Sequence, residues 1–290
     1  MMNEVEAARP GRLRRILAFP LTAMILEFLA VSLLGSLAGR AIQSVVPRGG
    51  PAYTVGALVT VCVAVGAYLL ARRWLERLGN DELPLALMPR ELLQGLVLGA
   101  MLFTVMTAIV GLLGGVAIER VNGAGAIWIM LAMAISSGVV EELLFRAILL
   151  RHLEAMLGTW AALAITSLLF GAAHLANPGA TLFAAFAIAM EAGILLGAAY
   201  LWKRRLWLPI GIHAAWNFTQ GFVFSIPVSG SAFEPGLFIT TRKGPEWLTG
   251  GAFGLEASVI AMLVATGAGL YLLVNVIRQG GITPPMWVKR

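Results

Sequence analysis

Two adjacent carboxylates, Glu141 and Glu142, and one guanidinium, Arg146, interrupt a run that is otherwise apolar from Ala126 to Leu150. At about 1.5 Å per residue that run is long enough to cross a bilayer as a helix. Charged side chains inside such a helix cost roughly 3 kcal/mol or more each, so three of them in one span point to use. Glu142 and Arg146 are four residues apart and share a helix face, which predicts an ion pair with a structural role. Glu141 projects about 100° away and has no partner in its own helix. A carboxylate withdrawn from water holds a proton more tightly, as a general base working near neutral pH must.

Two further pairs carry candidate chemistry. Phe170 and His174 are four apart in a later apolar run, and His213 and Asn217 are four apart in another. An imidazole and a primary amide on one helix face make a pair of donors for a developing oxyanion. Alternatively Glu141, His174 and His213 offer two histidines and a carboxylate to zinc, leaving a position for water. The third histidine, His152, follows Arg151 at a helix end and is expected to be a solvated surface residue. Each pair alone is also explained by packing. Together, a base, a water partner and oxyanion donors on separate spans form a set that can direct water onto a peptide carbonyl.

The elements that must position these groups are membrane helices. The 290 residues are 59% hydrophobic and 12% charged, with a mean hydropathy of +0.85; a soluble domain has about twice that share of charge. The fold class expected is all-α, a polytopic bundle of about eight transmembrane helices at 16–37, 53–71, 93–117, 126–150, 160–175, 181–202, 207–228 and 253–277. A basic cytoplasmic arm (1–15) leads into N-terminal membrane helices (16–125), a catalytic membrane core (126–228), then an exterior loop, last helix and tail (229–290). Sheet is not expected, because spans in lipid satisfy their own backbone groups. The run after Arg15 is too long for a cleavable signal and reads as the first span.

With the N-terminus inside, fifteen Lys and Arg fall on the inner side and five outside, with Arg146 set within the membrane. That bias supports an even number of spans with both termini cytoplasmic, and accounts for the +6 net charge without nucleic acid. Cys62 is the single cysteine and Asp81 the single aspartate, which excludes intrachain disulfides, cysteine-zinc clusters and an aspartyl dyad. Small-residue pairs such as Gly95 with Gly99 and Gly193 with Gly197 are expected to pack helices within the bundle. On these spans His213, Glu141 and His174 lie about 10, 15 and 20 Å from the cytoplasmic end, so tilt or a deeper fifth span must bring them level.

The chain resembles the CAAX protease and bacteriocin-processing (Abi) family of intramembrane endopeptidases, which includes the type II CAAX prenyl endopeptidases. Glu141, Glu142 and Arg146 match its Glu-Glu-x-x-x-Arg motif, Phe170 and His174 its Phe-x-x-x-His motif, and His213 and Asn217 its His-x-x-x-Asn/Asp motif, over about Ala126 to Phe218. The stretches Leu206–Ile210 and Glu191–Tyr200 also look like the family's. The resemblance implies that Glu141 activates water, His174 helps hold it, and His213 and Asn217 stabilise the oxyanion, with Glu142, Arg146 and Phe170 in support. It implies a hydrolase of a multi-pass protein, in the inner membrane of a bacterial cell, acting on a membrane protein or a lipidated or leader peptide. Family members are often labelled metalloproteases. No His-Glu-x-x-His sequence is present and Asn is a poor zinc ligand, so metal-free catalysis is preferred and the zinc set above is the alternative. A serine protease using Ser137 lacks the Gly-x-Ser-Gly sequence. A proton-coupled transporter recruiting Glu27, Glu191 and Glu256, and a non-catalytic immunity protein on the same bundle, are the non-enzyme rivals.

Overall fold

The computed structural model describes residues 12–288. Most of the basic arm expected at 1–15 lies outside the described residues. Eight long helices form the bundle: α1 Pro20–Val45, α2 Pro51–Leu75, α3 Leu85–Leu112, α4 Ile127–Leu157, α5 Thr159–Ala176, α6 Leu182–Lys203, α7 Trp207–Phe218 and α8 Val259–Arg278. Among the described residues seven of these are long and apolar enough to cross a membrane. The exception is α7, whose twelve residues continue for five more in a wide turn, Thr219–Val223, and stop short of a full crossing.

Local chemistry sets the ends. Proline opens α1 and α2, where its missing N–H is no loss. The Thr181 and Ser258 hydroxyls accept the Ala184 and Ala261 N–H groups and cap α6 and α8. Gly158, at φ 80°, breaks the chain between α4 and α5. A Cβ there would stand 2.9 Å from the Thr283 carbonyl, so the turn needs glycine for both conformation and space. The small-residue pairs do pack within the bundle. A Cβ on Gly95 would lie 2.3 Å from the Leu208 carbonyl and one on Gly99 2.2 Å from that of Ile212, so α3 and α7 touch backbone to backbone. Gly193 of α6 lies against Ser167 of α5, and Gly197 against the Leu163 side chain.

Three expectations are corrected. First, a two-stranded antiparallel sheet exists: β1 Val116–Val121 pairs with β2 Phe238–Arg242, with a bulge between Ile118 and Arg120. It lies in the loops at one end of the bundle, where the prohibition on open strand edges in lipid does not reach. The exterior loop is therefore partly ordered, and α3 ends at Leu112 to free β1. Second, α4 runs to Leu157, and α8 starts at Val259, later than expected. Third, His152 is buried, not solvated, at 2% exposure. Its Nε2 lies 3.1 Å from Glu27, and Arg151 binds both Glu27 (2.9 Å) and Glu76 (2.8 Å). Beside them Glu82 accepts the Tyr68 and Tyr200 hydroxyls and Arg72 at 2.8 Å. Buried charges persist only with partners, and this network ties α1, α2, α4 and α6 together at the end where α1 begins and α8 ends.

Candidate active site

Glu142 is the hub. It is fully buried, and its Oε1 accepts from Arg146 at 3.0 Å and from His213 Nδ1 at 2.8 Å. The expected Glu142–Arg146 pair is present, and it has a third member from α7. Arg146 also donates to the Ala192 carbonyl of α6 at 2.9 Å and lies 4.5 Å over the Phe170 ring. Phe170 packs edge-on to Phe145 (4.8 Å), and its centroid is 4.9 Å from the His174 ring and 6.1 Å from that of His213. One aromatic ring thus spaces the arginine and the two histidines.

Glu141 is different. Its side chain is 31% exposed, yet Oε2 is buried and has no hydrogen-bond partner among the described residues. The closest opposing group is His213 Nε2 at 3.9 Å. That gap is too long for a hydrogen bond and suits an intervening water. Because a carboxylate only accepts, the His213 proton on Nδ1 points to Glu142, and Nε2 is the atom presented to Glu141. His174 likewise directs Nδ1 to the Phe170 carbonyl (2.7 Å), leaving Nε2 as its other functional atom. Asn217 donates one amide hydrogen to Ser137 Oγ at 2.9 Å, and Ser137 in turn donates to the Met133 carbonyl. Ser137 is thereby engaged as a support for Asn217.

The depth problem has a physical solution. Glu141 lies sixteen residues before the end of α4 at Leu157, and His174 fifteen after the start of α5 at Thr159. In an antiparallel hairpin these are the same level. Helix α7 begins deeper than α4 ends, held by Leu206 N–H on the Glu82 carbonyl and by Trp207 on that of Pro84. Gly138 of α4 meets Ala214 of α7, which sets His213 beside Glu142.

Three wide π turns lie at the site: Leu143–Leu150 directly after the two glutamates, Ala189–Gly193 around Glu191, and Thr219–Val223 after Asn217. Such turns recur at functional sites because they re-aim side chains. His174, His213 and Asn217 line a cavity of about 40 Å³, room for a few waters. Two acids on its other wall were read from sequence only as candidates for transport or interhelical hydrogen bonding. Glu191 Oε2 is buried with no hydrogen-bond partner among the described residues, whereas Glu256 accepts from Gln220 and from the Ser229 N–H. Glu256 sits on the turn Leu255–Ala257 ahead of α8, and burial pushes its carboxyl up to about 7. Gln220, three residues after Asn217, is the one signal that would have placed this wall near the site. Glu141 does not line this cavity but a groove on the opposite side of α4.

The zinc alternative does not fit. Glu141, His174 and His213 do not bring ligand atoms within 4.8 Å of one another; among the described residues the group that does is Glu27, Glu76 and His152, where the Arg151 guanidinium already bridges the two carboxylates.

Residues 123–219 match the family model described as type II CAAX prenyl endopeptidase Rce1-like. Over that segment the chain is similar to this family. All three motifs fall within the matched segment, as do α4 to α7 up to Phe218. The matched segment thus holds every residue of the hub, while α1 to α3 and α8 lie outside it. No curated protein and no solved structure matches the chain.

Proposed function

We propose that the chain is an intramembrane endopeptidase that hydrolyses a peptide bond of a membrane-associated protein or peptide, with Glu141 as the base. The observation that carries this reading is the Glu141 oxygen, buried, with no hydrogen-bond partner among the described residues, and 3.9 Å from an imidazole whose other nitrogen is fixed. The Rce1-like match supports the same class of reaction. A water between Glu141 and His213 gives a proton to Glu141 as its oxygen attacks the carbonyl carbon. The carbonyl electrons move to the oxyanion, which the remaining N–H of Asn217 and the His213 ring stabilise. In this step the His213 ring acts in the form that carries a proton on Nε2 as well as on the Nδ1 bonded to Glu142, so that Nε2 donates. Collapse of the intermediate breaks the C–N bond, and the proton held by Glu141 goes to the leaving amine. His174, across the Phe170 ring, offers Nε2 to water in the cavity.

The test is a comparison of protein termini in cell membranes with and without the chain. The proposal predicts termini that vanish when the chain is removed and return with the wild type. Identical termini in both membranes, with solute flux restored by the chain instead, would favour the transporter reading.

A further inference from the structure

Glu141 opens onto a groove between α1, α2 and α4, distinct from the cavity that holds the histidines. Its inner part, about 440 Å³, touches Glu141, Ser32 and Ser36; its outer part, about 390 Å³, reaches Gly39 and Arg48 at the end of the bundle opposite the start of α1. The two parts share Thr60, Met133 and Ser136, so they form one passage. Along α4 it extends from Glu141 to Ile129, twelve residues or about 18 Å, the length of roughly five extended residues.

The wall chemistry selects the occupant. Thr60 and Ser137 return their hydroxyl hydrogens to their own helices. Ser32, Ser36 and Ser136 have no hydrogen-bond partner among the described residues. Free hydroxyls at membrane depth are costly against hydrocarbon and serve a backbone whose N–H and C=O groups need partners there. Gly35 and Gly39 also line this wall and add no side chain to it. By contrast, the groove on the other flank of α1, between Phe28 and Phe145, is lined by apolar side chains alone and suits an acyl chain.

We infer that the α1–α2–α4 groove binds an extended peptide segment with small side chains, which reaches Glu141 from the end of the bundle away from the start of α1. The inference rests on the protease reading and adds the route and form of the substrate.

The experiment uses the full chain in proteoliposomes with Cys62→Ser, carrying Ser36→Cys or Ser136→Cys, and a charged, water-soluble methanethiosulfonate. The competitor and substrate probe is a mixture of random ten-residue peptides, read by mass spectrometry. A second variant, Gly39→Phe, places a phenyl ring at the groove wall, where a Cβ would lie 3.6 Å from Thr60; its melting temperature is recorded to show that it folds. Expected are labelling of both thiols, slower labelling with peptides present, and a KM for peptide cleavage raised about tenfold or more by Gly39→Phe, with kcat and melting temperature retained. Unreactive thiols would mean a lipid-filled groove and overturn the inference. So would labelling that peptides leave unchanged, or wild-type kinetics in Gly39→Phe, either of which leaves the protease reading standing. Protection of the thiols in a chain that cleaves none of the peptides would uphold the groove and refute the protease reading.

Discussion

A fully buried carboxylate that serves both an arginine and a histidine cannot lose either partner cheaply. Removing Arg146 leaves Glu142 with an unbalanced charge at zero exposure and frees the Ala192 carbonyl as well. Arg146→Met should therefore destabilise the protein by roughly 3–5 kcal/mol, seen as a lower melting temperature in detergent, with activity falling alongside. A stable but inactive variant would assign Arg146 to the chemistry instead. Asn217 gives the complementary case. Its proposed role is in the transition state, so Asn217→Ala should lower kcat roughly 10²–10³-fold with little change in KM. A rise in KM alone would show that the amide binds substrate and not the oxyanion. At this scale Glu141, Glu142, Arg146, His174, His213 and Asn217 were legible as candidates because polar groups stand out against apolar runs. The link from His213 to Glu142 was not legible, since it joins residues 71 positions apart. His152 was misjudged for a related reason: its partner Glu27 lies 125 positions away.

The helices matter through where they start and stop. A sequence period marks an apolar run but not the register of neighbouring runs. The seven residues from Arg151 to Leu157 that continue α4 are what bring Glu141 level with His174. The π turns are equally silent in sequence, because each widens a helix without breaking it. The α3–α7 contact, by contrast, was foreshadowed by its glycine spacing. Gly99→Ala puts a methyl 2.2 Å from a backbone carbonyl, while Gly35→Ala meets Ala64 at an ordinary 3.6 Å. Thermal unfolding in detergent should show a large loss for Gly99→Ala and near-neutrality for Gly35→Ala. Equal effects would mean that α3 and α7 can separate at little cost.

For the whole molecule, composition and charge bias already dictated a polytopic helical bundle, and the structure agrees. The β1–β2 pair escaped notice because its strands are more than a hundred residues apart and lie beyond the lipid, where span arithmetic says nothing. The bundle separates two compartments around α4: a small polar cavity with both catalytic-candidate histidines, and a larger groove that opens onto Glu141. His213 stands between them, and the proposed hydrolysis across that divide would require Glu141 above all. The decisive measurement is peptide cleavage by purified, reconstituted Glu141→Gln against wild type, with melting temperature recorded on the same samples. Glutamine keeps the shape but cannot take a proton from water at neutral pH. Cleavage should fall to background while the melting temperature stays near that of wild type, because Glu141 has no hydrogen-bond partner to lose. A folded Glu141→Gln protein that still cleaves peptides at a substantial rate would contradict the account.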